Sequence, residues 1–183
     1  MGLDMYLSRK TYVKHWDYKE EDNYVITVTR QGEPVTNIST SKISFIEEEV
    51  GYWRKANHIH KWFVDHVQEG KDDCRETYVS LPQLKELYDT CLKAIEIKLQ
   101  PVGVHPEKVL VKTDTGLLQQ EEQVLNYNKE ILEDILPTSQ GFFFGGTQYD
   151  EYYMDDVQDT IDILKPIVEN TNPQADYYYR ASW

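Results

Sequence analysis

Cysteine is nearly missing from this chain: its 183 residues include two, Cys74 and Cys91. Two thiols without CxxC spacing build neither a disulfide framework nor a zinc or redox motif, so both are expected to be reduced. No apolar run approaches the roughly 18 residues that a membrane span needs, and the first residues have neither the basic start nor the apolar core of a signal peptide. Met1-Gly2 invites myristoylation, but Tyr6 stands where that motif needs Ser or Thr. These absences lead to the expectation of a cytoplasmic protein with no membrane partner. Basic side chains are also scarce, with 19 Lys and Arg against 32 Asp and Glu and a net charge of −13. The imbalance is concentrated in residues 113–183, which carry 14 acidic and 3 basic side chains. Direct nucleic-acid binding, which depends on Lys and Arg neutralising phosphates, is disfavoured.

What is present suffices for one core. A hydrophobic content of 40% supports a single domain over residues 1–183. LDMYLSRKTYV near the start and DYYYRASW at the end alternate like strands with one buried face, so both are expected in one small antiparallel sheet. YVITVTRQGEPVTNI reads as a hairpin turning at Gln31-Gly32-Glu33-Pro34.

Four helices are expected between these strands. The first runs from about Ser41 to Gln68, where Ile43, Ile46, Val50, Trp53, Asn57, His60, Val64 and Val67 recur at three- and four-residue spacing. Ser80-x-x-Gln83 caps the second, with Pro82 in its first turn and Leu84, Tyr88, Cys91 and Ile95 inward. The third runs from about Leu117 to Leu136 and stops at Pro137. The fourth starts from a Thr147-x-x-Asp150 capping box, turns Tyr149, Tyr153, Val157, Ile161 and Leu164 inward, and breaks at Pro166. QPVGVHPEKVLVKTDTG reads as a loop or one short edge strand at Val109 to Val111, and GFFFGG as a buried strand with a tight turn. The class is a helix-rich α+β fold.

The chemistry is densest in residues 49–63, EVGYWRKANHIHKWF. Wound as a helix, this stretch places Arg54, His58, Lys61 and Asp65 in a solvated row and Trp53, Asn57 and His60 on the inward face. A buried amide or imidazole left unpaired costs roughly 1–3 kcal/mol, so Asn57 and His60 each require a partner. That partner is either a protein group, such as a Tyr hydroxyl or Asp73, or a ligand. The row Trp53, Asn57, His60 offers a stacking surface, an amide and a titratable ring, which suits a planar, nucleobase-like ligand. Arg54 on the flank suits phosphate or carboxylate. Asp73 follows in the loop, and Tyr149 and Tyr153 are candidates for the pocket mouth. Asp72-Asp73-Cys74 matches no recognised zinc spacing, and Gly141 to Gly146 precedes an acidic helix without the Gly-Lys-Ser/Thr of a phosphate loop, so no metal or cofactor is expected.

The blocks MGLDMYL, EVGYWRKANHIHKWF with DDC, GFFFGGTQYDEYY and YYYRASW together resemble a family of small uncharacterised proteins of bacteriophage, prophage and bacterial accessory regions. They cover about a third of the chain. The resemblance implies a bacterial cytoplasmic setting and an accessory role, and it brings no catalytic residues. Three functions are compatible with these features. The first is a phage-type binding protein that captures a nucleotide-like small molecule, with counter-defence sequestration of a host signal as its purpose. The second is an acidic DNA mimic that inhibits a host nucleic-acid-binding protein, motivated by the charge of residues 113–183. The third is a small-molecule hydrolase using His60 with Asp73 or Cys74.

Overall fold

The computed structural model describes residues 2–14, 23–113 and 116–183. Strand β1 (Asp4–Tyr12) is followed by a small hairpin of β2 (Thr29–Arg30) and β3 (Glu33–Pro34), then β4 (Phe45–Arg54), α1 (Asn57–His66), β5 (Thr77–Val79) and α2 (Leu81–Ile95). A long hairpin of β6 (Gly103–Thr113) and β7 (Gly116–Asn126) leads to α3 (Lys129–Ile135), α4 (Glu151–Glu169) and β8 (Ala175–Ser182). The main sheet has the order β4-β1-β8-β5, with every neighbouring pair antiparallel, so the first and last strands lie side by side at its centre. The fold is α+β, as expected. No helix among the described residues is long and apolar enough to cross a membrane.

Strand alternation divides the sheet into two faces. Met5, Leu7, Trp53, Val79, Tyr177, Tyr179 and Ala181 are buried in one cluster with Ile59 and Phe63 of α1, Leu84, Leu87 and Cys91 of α2, and Val157, Ile161 and Leu164 of α4. Tyr179 and Phe63 stack with ring centroids 3.8 Å apart. The opposite face carries Tyr6, Tyr52, Tyr78 and Tyr178, with Arg180 over the Tyr6 ring and Lys10 over that of Tyr178.

Two of the expected helices are corrected. The stretch expected to be helical from Ser41 opens with a short 3-10 turn at Thr40–Lys42 and continues as strand β4, and α1 starts only at Asn57. A bulge explains the misleading pattern: Leu7 faces Gly51 and Ser8 faces Glu49, leaving Val50 unpaired in β4. The extra residue breaks the period of two, so the apolar positions on either side of it fall at helical spacing. Gly51 has its own reason to be there. A Cβ at this position would lie 2.8 Å from Ile163 Cγ2 on α4, so only glycine permits this closeness of strand and helix.

The second correction is at Leu117 to Leu136, which divides into β7 and the short α3 capped by Asn128. The β6–β7 hairpin stands off the main sheet: His105, Glu107, Val109 and Val111 of β6 are only half-buried and residues 116–123 of β7 are exposed, so no fully buried apolar face marks either strand in the sequence. The single short edge strand expected near Val109 is thus an eleven-residue strand.

Other boundaries move by less. The box of Ser80 and Gln83 caps α2 as read. Helix α4 is capped by Asp150 rather than Thr147, through Tyr153 N–H donating to Asp150 Oδ1 at 3.1 Å. It continues through Pro166, because Ile167 beyond it is still buried in the core. The GFFFGG segment contains the tight turn, with Phe144 N–H donating to Gly141 O, but no strand: Phe144 is buried and Phe142 projects into solvent.

Candidate functional site

The two inward polar residues of the 49–63 stretch, Asn57 and His60, are bonded to protein. Asn57 donates through Nδ2 to Phe144 O at 3.1 Å and Gly146 O at 2.6 Å, and its Oδ1 accepts from Ser139 N–H at 2.9 Å. It therefore ties the whole 139–146 loop to the first turn of α1. His60 Nδ1 lies 2.7 Å from the Tyr179 hydroxyl and its Nε2 3.0 Å from Asp72 Oδ1. Burial pushes the His60 pKa down against the raising effect of Asp72. The neutral ring then accepts from Tyr179 O–H and donates from Nε2–H to Asp72, leaving both nitrogens satisfied. Neither Asp73 nor Cys74 bonds to it among the described residues. Asp73 is half-exposed and pairs with Arg75 at 2.5 Å. The buried network with a Tyr hydroxyl is present, with Asp72 as its acid.

Trp53 is also part of the core. It is 2% exposed and donates from Nε1 to Thr160 Oγ1 at 2.9 Å, and that hydroxyl donates onward to Asp156 O at 2.7 Å. Tyr149 is buried, and its hydroxyl accepts from Thr138 N–H at 3.1 Å.

A cleft of about 460 Å³ opens beside this network, where the β4–α1 turn, the 145–148 loop and the start of α4 meet. Its volume lies in the usual range of small-molecule sites. Three of the expected site residues, Arg54, Asn57 and Tyr153, line it, whereas Trp53, His60, Asp73 and Tyr149 do not. Lys55, His58, Glu107, Tyr152, Asp155 and Asp156 complete much of the wall and were not singled out from the sequence.

The sharpest correction concerns His58, expected in the solvated row. It is 2% exposed, with its ring packed against that of Tyr153 at a centroid distance of 4.1 Å and tilted by 33°. Its Nε2 is buried without a hydrogen-bond partner among the described residues, and burial pushes its pKa down to about 3. A neutral imidazole with an unused nitrogen is thereby held in the cleft wall. The sequence signal was misleading because α1 is buried around most of its first turn, Asn57 to His60, so its first turn has no solvated row.

The walls differ in charge. Arg54 and Lys55 stand at one rim, and Lys55 has φ +63°, a left-handed conformation in contact with Gly145 at φ +89°. A Cβ on Gly145 would come 3.2 Å from Lys55 O, so the glycine allows the loop to approach the turn. The other wall holds Glu107, Asp150, Asp155 and Asp156. Burial raises the Asp150 pKa, and burial with the nearby Asp159, Asp155 and Asp150 pushes Asp156 up to about 7. His105, on β6 two residues from Glu107, lies behind this acidic wall with Nε2 3.1 Å from Glu107 Oε2 and 3.8 Å from Asp150 Oδ2.

No family model, curated protein or solved structure matches the chain. The chemistry of the cleft therefore has to be taken from its own residues.

Proposed function

We propose that this protein binds a small, nucleotide-like molecule in the cleft between the β4–α1 turn and the start of α4. The observation that carries the reading is His58: a buried imidazole in the wall of a ligand-sized cleft, with a nitrogen that no group among the described residues satisfies. An unpaired buried polar atom costs about 1–3 kcal/mol unless a bound molecule or water relieves it. The surrounding groups favour a polar ligand with two unlike ends. Arg54 and Lys55 suit a phosphate at one rim, and Lys55 has no ion-pair partner among the described residues. Asp155 and Asp156 accept from exocyclic amino groups at the other, and Tyr152 supplies an aromatic edge. A role for His60 with Cys74 in hydrolysis receives no support from the His60 bonds.

A thermal-shift screen of nucleotides and ADP-ribose derivatives tests the proposal. A ligand at 100 times its Kd adds about 2.7 kcal/mol, which for a domain of this size is a rise of roughly 5–10 °C in Tm. The rise is expected to disappear in His58→Phe and in the Arg54→Ala, Lys55→Ala double variant, and to survive in Asp73→Asn. A screen in which no compound shifts Tm, or a shift indifferent to His58→Phe, refutes it.

A further inference from the structure

His105, Glu107 and Asp150 converge from two separate elements. The period of a strand puts His105 and Glu107 of β6 on the same face, and the bridge between Asn126 of β7 and Asp150 brings that face against the start of α4. One donor atom from each of the three side chains lies within 4.8 Å of the other two. The surroundings of His105 are all acceptors: Asn126 Oδ1 is 3.0 Å from Nδ1, and two carboxylates face Nε2. With Nδ1–H donating to Asn126, Nε2 faces carboxylate oxygens, an arrangement that is satisfied by a proton on Nε2 or by a cation held between the three groups.

We propose that His105 Nε2, Glu107 Oε2 and Asp150 Oδ2 bind a divalent first-row transition cation at the edge of the cleft. Metal–N and metal–O bonds of about 2.1 Å in a tetrahedral site place donor atoms about 3.4 Å apart. The separations of 3.1 and 3.8 Å from His105 Nε2 bracket that value. Imidazole with two carboxylates selects Zn²⁺, Co²⁺ or Mn²⁺ over Mg²⁺, which prefers oxygen and water. Asp150 can serve both tasks because its oxygens are divided: Oδ1 accepts the Tyr153 N–H that caps α4, and Oδ2 faces His105. Asn126 orients the imidazole as an outer partner.

Glu107 and Asp150 line the cleft that also contains the unpartnered His58, so the cation has protein ligands on one side and cleft on the other. Three protein ligands with one open position is the arrangement of a cation that also holds a bound molecule. This last role rests on the nucleotide-like reading given above, whereas the cation site does not.

The test uses the chelator-treated full chain in a Cys74→Ser background, which removes the exposed thiol as a competing ligand. Titration with Co²⁺ is expected to give visible d–d bands of a four- or five-coordinate site and to saturate at one equivalent, with Zn²⁺ displacing it. Glu107→Gln and His105→Gln are expected to weaken Co²⁺ at least tenfold, and Asp150→Asn, which keeps a capping oxygen, to do the same. Asp73→Asn is the unaffected control. Circular dichroism of each variant matching the parent confirms that loss of metal is not loss of fold, and Glu107→Gln, a half-exposed side chain, is the variant least able to unfold the domain. The absence of saturable bands, or Co²⁺ binding that Glu107→Gln and His105→Gln leave unchanged, overturns the site. Because the titration contains no nucleotide, failure of the cation site appears as missing bands, and failure of the cleft reading as a missing Tm shift.

Discussion

Replacing His58 by Phe separates a ring that only fills space from a ring held with an unused nitrogen. Phenylalanine keeps the ring contact with Tyr153 and removes the buried Nε2 that has no partner among the described residues. The folded pKa of His58 is about 3, below its ordinary 6.5. Between these values the unfolded chain binds one more proton than the folded chain, so His58 makes stability fall as pH drops from 6.5 toward 3, and its full contribution is present above 6.5. Each pH unit inside that window removes up to about 1.4 kcal/mol, so moving from pH 7.5 to 5.0 costs the parent about 2 kcal/mol through this group. The same comparison in His58→Phe lacks that loss. Other groups that titrate in this range, His60 and Asp156 among them, are present in both proteins and cancel in the difference. Urea denaturation of both proteins at pH 7.5 and 5.0 measures it. The variant is expected to gain about 2 kcal/mol on the parent between the two conditions. Parallel pH dependences would show that His58 is solvated or paired, and the argument for the cleft would fall with it.

Two further perturbations follow from the same geometry. Asn57→Ala leaves Ser139 N–H and the carbonyls of Phe144 and Gly146 without their side-chain partner; a loss of about 2–4 kcal/mol is expected, with hydrogen exchange of the Ser139 amide accelerating more than that of α2. Asp156→Asn acts in the direction opposite to His58: a carboxyl whose folded pKa is raised to about 7 from 3.8 contributes stability that is present below pH 3.8 and lost as pH rises through 7. The asparagine variant should match the parent near pH 4 and exceed it by roughly 1–2 kcal/mol at pH 8, after allowance for partial solvent screening. Equal gains at both pH values in urea denaturation would refute the assignment.

Much of the fold is legible from local chemistry. The alternation of β1 and β8, the Ser80 box at the start of α2, and the stripe Tyr153, Val157, Ile161, Leu164 of α4 are each determined by a few neighbouring residues that face one core. Strand β4 was illegible because its bulge at Val50 is defined by pairing with β1, some forty positions away, which no local window contains. The β6–β7 hairpin was illegible for a different reason: its inner face is only half-buried along β6 and residues 116–123 of β7 are exposed, so no apolar alternation marks it. The site divides the same way. Arg54, Asn57 and Tyr153 were found because aromatic, basic and amide groups are conspicuous in sequence. His58, Glu107 and Asp150 were missed because their importance lies in which elements meet, and His58 was assigned to a solvated row that the all-round burial of the first turn of α1 removes.

The amino-acid sequence by itself determined that this chain forms an α+β domain with its first and last strands in one antiparallel sheet, since amphipathic periodicity and capping are local consequences of side-chain chemistry. It also determined that Asn57 and His60 are buried and therefore must be bonded. Only the tertiary structure decided to what. The loop at 139–146 and the pair Tyr179 and Asp72 satisfy those two residues, and the unsatisfied nitrogen belongs to His58 instead. Hydrogen bonds and cavities depend on distances across the fold, between residues that sequence separation does not bring together.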